Sequence, residues 1–238
     1  EYFSEDPLLA GAQVAEEIQG AQAKGVYAFI KHFALNDQET NRTHMLATWT
    51  NEQALREVYL RPFEIGVKQG GAHAVMSAFN YIGTTYAGAH PELLNTVLRE
   101  EWGFQGMVLT DYFAGYGYQN ADQIVRNGGD FMLATLDIDI AKVNTQSDAG
   151  LAQMRRASHN ILYTVANSWM YENGQPEVER NTWEYITWVV AGALILALVG
   201  LEVVALRRYR ARAAAGAESA PPTRDTGEGD GTRGGGAE

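Results

Sequence analysis

The hydrophobic and polar positions of the chain follow two different periods over most of its length. Short apolar or β-branched runs predict four strands, at residues 26–30, 74–79, 106–110 and 131–134. Apolar side chains that recur every three or four residues predict helices from Asp6-Pro7 onward and over 50–68, 91–102, 118–127 and 151–169. Strands that alternate with helices indicate a parallel sheet with helices packed outside it.

The spacing of the strands narrows the fold class. Successive predicted strands begin about 48 to about 25 residues apart, which brackets the roughly 30 residues of one unit of an eight-fold barrel. The pattern predicts an α/β fold, as a partial (β/α)8 TIM-type barrel, although an open doubly wound sheet fits it too. Only four or five units are present, so we expect further barrel segments before Glu1.

A different pattern begins at Tyr185, where an apolar run continues to Leu206 and is interrupted only by Glu202. As a helix it would be about 33 Å long, enough to cross a hydrocarbon core of roughly 30 Å. Aromatic side chains gather at its start, and four arginines follow between 207 and 212. This predicts a transmembrane helix with a cytoplasmic C-terminus and an extracellular preceding part; a buried core helix is the alternative.

The expected organisation therefore has four parts. Residues 1–172 form the incomplete barrel-type domain, 173–184 a juxtamembrane linker, 185–206 the transmembrane helix and 207–238 a disordered cytoplasmic tail. The end of the tail is rich in Gly, Ala and small polar residues and has no large apolar side chain that could anchor it.

Charge and cysteine content exclude several functions. The residues before Arg207 contain 12 basic and 24 acidic side chains, whereas a phosphate-binding surface requires concentrated Lys and Arg, so nucleic acid is not an expected partner. The chain has no cysteine and hence neither a disulfide framework nor a thiol nucleophile. Its histidines lack the spacing of a metal site and no G-x-S-x-G elbow occurs, so we expect no metal and no cofactor.

Polar side chains follow three of the predicted strands, where α/β folds carry their functional groups. Lys31 and His32 follow the first, Asn80 the second and Asp111 the third, before an aromatic, glycine-rich stretch at 112–118. Carboxylate, amide and cationic groups match sugar hydroxyls, and aromatic faces stack on pyranose rings, so this set suits carbohydrate.

Structural roles are the alternatives for these residues. Asp111 could be a helix N-cap or a turn residue, and Lys31 with His32 could be a salt-bridged pair at a loop entrance. For Glu39 and Arg42 a local ion pair that rigidifies the loop is the favoured interpretation.

Six segments resemble glycoside hydrolase family 3, the β-glucosidase family. They are F-S-E-D-P at 3–7, K-H-F-A-L-N-D-Q-E-T-N-R at 31–42, L-R-E-V-Y-L-R-P-F-E at 55–64, A-V-M-S-A-F-N at 74–80, V-L-R-E-E-W-G-F-Q-G at 97–106 and V-L-T-D-Y at 108–112. The resemblance implies a retaining, exo-acting β-glycosidase with Asp111 as nucleophile and with Lys31 and His32 bound to sugar hydroxyls. Phe79 stands where many relatives have a tyrosine.

The resemblance also implies that the acid/base lies outside this chain, on a sandwich domain. The run R-R-A-S-H-N-I-L-Y-T-V-A-N-S at 155–168 resembles the end of family members whose sandwich domain precedes the barrel. We therefore expect the C-terminal part of a barrel from a protein with reversed domain order, acting on oligosaccharides or other β-glycosides at the outer membrane surface. A non-catalytic, membrane-anchored carbohydrate-binding or scaffolding module is the alternative.

Overall fold

The computed structural model describes residues 3–135, 139–143, 147–174 and 181–218. The chain divides into two compact units, Glu1–Pro176 and Glu177–Glu238.

The first unit is built on a parallel sheet of four strands. In spatial order these are β1 (Phe29–Phe33), β3 (Ala74–Ser77), β6 (Met107–Tyr112) and β7 (Phe131–Leu133). Every neighbouring pair is parallel, and Ala74 of β3 aligns with Phe29 on one side and Met107 on the other. The predicted alternation of strands and helices and the α/β fold class are thereby confirmed.

Helices connect these strands. Their bounds are α1 (Pro7–Gln22), α2 (Glu52–Ala54), a π-helical turn (Leu55–Tyr59), α3 (Arg61–Lys68), a π-helix (Glu92–Glu101), α4 (Ala121–Arg126), α5 (Asp148–Ala166) and α6 (Trp169–Asn173), with 3₁₀ turns at Ala87–Ala89 and Asp139–Ala141. The Asp6 carboxylate caps α1 by accepting hydrogen bonds from the backbone N–H groups of Leu8 and Leu9. This is the helix start that Asp6-Pro7 predicts.

A small second sheet was not predicted from the sequence. It contains β2 (Ala47–Thr48), β4 (Tyr81–Ile82) and β5 (Thr85–Tyr86), in that order. The last two strands form a hairpin in which Ile82 aligns with Thr85. Because β4 begins shortly after β3 ends, this sheet lies beyond the carboxyl end of β3.

The main core fills the space between the parallel sheet and its helices. Its fully buried side chains include Ile18 of α1, Phe33 of β1, Leu94 and Leu98 of the π-helix and Val108 of β6. Each comes from the apolar face of its element, so burial of these faces is what holds helices and sheet together.

Two predicted strand ends are corrected by the structure. Lys31 and His32 lie inside β1 and Asp111 lies inside β6, whereas all three were expected just after their strands. The backbone pairing resumes beyond the apolar runs after a shift of register, with Phe33 of β1 opposite Ser77 and Tyr112 of β6 opposite Leu133. Backbone groups make the ladder, so polar side chains do not end a strand that still has a partner.

The predicted helix at 50–68 is also corrected, because it is divided into α2, the π-helical turn and α3. Pro62 lies in the first turn of α3, where its missing N–H does no harm, but it cannot continue a preceding helix.

The second unit contains one long helix, α7 (Thr182–Glu218). Within its stretch Thr182–Arg212, the most apolar window of 18 residues has a mean hydropathy of 2.6, and the stretch is long and apolar enough to cross a membrane, by length and composition. The helix continues beyond 206, where a disordered tail was predicted to start, because Ala and Arg both favour helix. Residues 175–180 of the predicted linker and 219–238 of the predicted tail lie outside the described residues.

Candidate active site

His32 and Asp111 meet at the carboxyl end of the parallel sheet. The Nε2 atom of His32 in β1 lies 3.3 Å from the Oδ2 atom of Asp111 in β6. The side chains are only 10% and 12% exposed. Because parallel strands present their carboxyl ends at one edge, β1 and β6 can bring these groups together across β3.

The two oxygens of Asp111 have unequal surroundings. Oδ1 accepts a hydrogen bond of 2.7 Å from the backbone N–H of Tyr112. Oδ2 is buried, and apart from its approach to His32 it has no hydrogen-bond partner in the described part of the chain. A buried carboxylate oxygen without a donor is costly. Asp111 therefore presents an acceptor that a ligand could use.

Lys31 occupies a different environment from its neighbour. It is the exposed residue of β1, whereas His32 is partly buried. His32 is the residue of β1 whose ring lies 3.3 Å from Asp111.

The β6 loop, residues 113–120, is held in place by one buried glutamine. The side chain of Gln119 donates a hydrogen bond to the carbonyl oxygen of Tyr112 and accepts one from the backbone N–H of Ala114. Gly115 and Gly117 have φ angles of 69° and 79°, which L-residues with side chains rarely adopt. The loop that follows Asp111 is thus clamped at its base and turned by glycines.

Tyr118 of this loop packs together with two tyrosines of the β4–β5 hairpin. The rings of Tyr81 and Tyr86 both contact Tyr118, with centroid distances of 5.6 and 5.2 Å. Burial raises the pKa of Tyr86 and of Tyr118 well above the ordinary tyrosine value, and the negative charge of Asp111 adds to each rise. The tyrosine cluster therefore lies within electrostatic range of Asp111, and its hydroxyls remain protonated.

Asn80 and Thr48 connect the small sheet to this edge. Asn80 is fully buried, and its Nδ2 atom donates a hydrogen bond of 2.9 Å to the hydroxyl of Thr48. The same hydroxyl donates to the carbonyl oxygen of Tyr81. Asn80 is thus a structural link between β2 and β4.

Arg42 lies over this part of the molecule. Its Nε atom is 3.0 Å from Glu39 Oε2, so the predicted local ion pair is confirmed. Its guanidinium also lies 5.0 Å from the ring centroid of Phe79, a cation–π distance.

The carboxylate, the histidine and the aromatic loop could be identified from the sequence, whereas Gln119, Thr48 and the tyrosines of the hairpin were not. A signal for the hairpin was present: Tyr81 and Tyr86 flank the short Gly83-containing turn of a two-residue hairpin loop. Nothing local marks Gln119, because its role depends on which backbone groups the folded loop brings to it. Among the described residues, no group of acidic or histidine side chains could hold a metal ion.

Comparisons with known proteins identify the family of the chain. The sequence profile described as "Glycosyl hydrolase family 3 N terminal domain" matches residues 1–159. The chain belongs to glycosyl hydrolase family 3.

Curated relatives of this family 3 chain include a β-glucosidase from Rhizobium radiobacter, 47% identical over 116 residues, or 49% of this chain and 14% of that protein. A β-glucosidase from Ruminococcus albus is 36% identical over 174 residues, covering 68% of this chain and 18% of the relative. The chain thus spans less than a fifth of the length of these relatives.

Solved structures give the same result. β-Glucosidase 3B from Thermotoga neapolitana, in complex with α-D-glucose, is 35% identical with a TM-score of 0.63, covering 74% of this chain and 26% of that one. The family 3 β-glucosidase from Bifidobacterium adolescentis is 28% identical with a TM-score of 0.66, covering 79% and 27%. The α/β fold of the described part of the first unit is therefore similar to that of β-glucosidases of this family.

Proposed function

We propose that this chain carries the nucleophile side of a retaining, exo-acting β-glycosidase of the β-glucosidase type. In this reaction Asp111 attacks the anomeric carbon and forms a covalent glycosyl-enzyme intermediate, while a second carboxyl group protonates the leaving oxygen. Water then hydrolyses the intermediate, and the second group acts as its base. No metal or cofactor takes part in the proposed reaction.

The 3.3 Å approach of His32 to Asp111 carries this proposal. A nucleophilic carboxylate must be ionised and must keep one oxygen available for the sugar. Oδ2 of Asp111 is buried and has no hydrogen-bond donor among the described residues, and the neighbouring histidine can stabilise a negative charge there. A helix cap or a turn residue has no need for such an oxygen.

Two further parts of the proposal rest on the family resemblance. Lys31 and His32 hydrogen-bond hydroxyls of the sugar whose bond is cleaved. The acid/base is supplied by a sandwich domain outside these residues, which precedes the barrel in a reversed domain order.

We also propose that residues 185–206 cross the cell membrane once. The aromatic residues at the start of this stretch and the arginines at its end support an orientation with the first unit outside and a disordered C-terminal tail in the cytoplasm. The enzyme would then act on oligosaccharides at the outer surface.

A non-catalytic carbohydrate-binding or scaffolding module remains the second candidate, because many binding sites use the same groups. The paired His32 and Asp111 favour the enzyme, since a binding module has no need for a nearly buried carboxylate beside a histidine.

A mechanism-based label tests the function. The whole protein would be incubated with a 2-deoxy-2-fluoro-β-glucoside that carries a good leaving group and then digested for mass spectrometry. We expect one glycosyl group on the peptide that contains Asp111, and none in Asp111→Asn. A label on another carboxylate would contradict the assignment, and sugar binding without label or turnover would favour the binding module.

Protease accessibility tests the membrane arrangement. External protease added to intact cells should degrade the part before Trp183 and spare an epitope placed after Glu238. Loss of the epitope from sealed cells would contradict this orientation.

A further inference from the structure

Tyr116 differs from the other aromatic residues at the carboxyl edge because its ring remains accessible. It is 40% exposed, whereas Phe79 is 3% and Asp111 8% exposed. Exposure of one tyrosine would be unremarkable on a protein surface. Here, however, the exposed ring lies in the loop that directly follows Asp111.

The ring of Tyr116 is fixed by two other rings. It is stacked on Tyr118 with a centroid distance of 6.3 Å and an interplanar angle of 16°. It also meets Phe79 edge-on at 5.7 Å. These contacts leave part of the ring surface exposed but restrict its rotation, so little side-chain entropy remains to be lost on binding.

The backbone under Tyr116 is equally constrained. Gly115 and Gly117, on either side, both adopt left-handed conformations. Gln119 ties the base of the loop to Tyr112, next to Asp111. The position of the Tyr116 ring is therefore coupled to the position of the carboxylate.

Exposure indicates which part of a substrate such a ring can reach. In the proposed reaction the sugar that is cleaved lies against Asp111, among nearly buried side chains. The leaving group must point away from them, toward solvent. An exposed ring at the rim can contact only the part of the substrate that stays outside.

We propose that Tyr116 is a specificity-determining residue whose ring stacks on the leaving-group sugar of a β-linked disaccharide or oligosaccharide. This inference rests on the proposed glycosidase function. The apolar face of a pyranose ring suits an aromatic face, and such a contact selects ring-containing leaving groups over small ones.

The experiment compares two substrates in the whole protein. Cellobiose has a pyranose leaving group, whereas β-glucosyl fluoride has the same cleaved sugar but loses only fluoride. We expect Tyr116→Ala to lower kcat/KM for cellobiose roughly three- to tenfold, mainly through KM, and to leave hydrolysis of the fluoride within about twofold. Tyr116→Phe should resemble the parent because the ring is kept.

Tyr171→Ala is the matched control. Tyr171 is 70% exposed and lies in α6, whose Trp169 packs against Gly25, ahead of the start of β1. This exposed tyrosine belongs to the opposite end of the strands, and its loss should affect neither substrate.

Three results would overturn the inference. Equal losses of Tyr116→Ala on both substrates would mean that Tyr116 acts through the fold or through Asp111, and no loss on cellobiose would exclude a stacking contact. A loss in Tyr116→Phe as large as in Tyr116→Ala would assign the effect to the hydroxyl. A parent protein without activity on either substrate would instead overturn the proposed function itself, together with this inference.

Discussion

The two ends of the parallel sheet each contain a buried aspartate, and the two are bonded very differently. Asp130, just before β7, is fully satisfied. Its Oδ2 atom accepts hydrogen bonds from Arg99 at 2.6 Å and from the backbone N–H of Val108 at 2.8 Å, and its Oδ1 atom accepts from Asn160 at 2.8 Å. Burial raises the pKa of Asp130, but the charge of Arg99 and these hydrogen bonds act against that rise.

Asp111, at the other end of β6, accepts a hydrogen bond from a backbone N–H on Oδ1, whereas Oδ2 has no hydrogen-bond donor among the described residues and is only approached by His32 at 3.3 Å. The difference distinguishes an aspartate that stabilises the fold from one that can bind a ligand. A carboxylate with every oxygen bonded joins strands and helices, whereas one with an unused oxygen is available for a ligand. Substitutions at the two aspartates should therefore have opposite consequences.

The largest effect is expected for Asp111→Asn in the whole protein. The amide keeps the shape of the side chain but cannot form the glycosyl-enzyme, so kcat on an aryl β-glucoside should fall roughly 10⁴- to 10⁶-fold. The melting temperature should stay close to that of the parent, because little bonding is lost. Substantial remaining turnover, or a marked loss of stability, would remove the contrast between the two aspartates.

The converse is expected for Asp130→Asn. This change leaves the buried guanidinium of Arg99 without its counter-charge, which costs about 3–5 kcal/mol of the free energy of unfolding. Denaturant titration followed by tryptophan fluorescence measures it. At low temperature, the folded molecules of this variant should have the same kcat per active site as the parent. The number of active sites would be determined by fluorosugar labelling. A fall in kcat as large as that of Asp111→Asn would show that Asp130, at the amino end of the sheet, also affects catalysis.

A smaller loss is expected for Thr164→Val in α5. The Thr164 hydroxyl accepts a hydrogen bond of 2.9 Å from the backbone N–H of Met107 and lies within hydrogen-bonding distance of the carbonyl oxygens of His73 and Asn160. Valine has the same shape but leaves a buried N–H unpaired, which costs about 1–3 kcal/mol. Thr164→Ser keeps the hydroxyl and should recover most of the loss. Equal stability of the valine variant and the parent would refute this role.

The smallest expected effect is on the pH dependence of stability, through His73, which directly precedes β3 at the amino end of the parallel sheet. Burial lowers the pKa of His73, whose ring lies 5.2 Å from that of Tyr27. Below pH of about 6.5, the ordinary pKa of histidine, His73 is protonated more readily in the unfolded chain than in the folded one. The free energy of unfolding should therefore fall as the pH drops through this range.

The free energy of unfolding would be measured between pH of about 5 and 7. We expect His73→Gln to remove the contribution of His73 to its dependence on pH. His90, whose pKa burial also lowers, provides the comparison, because His90→Gln should remove a separate part. An unchanged slope in both variants would show that neither histidine contributes.

Much of the sheet could be predicted because its signals are local. The runs around Val75 and Val108 are apolar over several successive residues, and Asp6-Pro7 marks the start of α1 without reference to the rest of the chain. The small sheet could not be predicted in this way. A strand of two residues such as β2 has no period of its own and exists only because β4 pairs with it.

The sequence by itself therefore determined the order of strands and helices, the family to which the chain belongs, and the identity of the polar residues near the ends of β1 and β6. Only the tertiary structure decided that His32 approaches Asp111, and that both oxygens of Asp130 accept hydrogen bonds while Oδ2 of Asp111, among the described residues, does not. The physical reason is distance along the chain. Periodicity and capping depend on neighbours within a few residues, but the bonds of a buried carboxylate depend on which distant strands and helices meet around it.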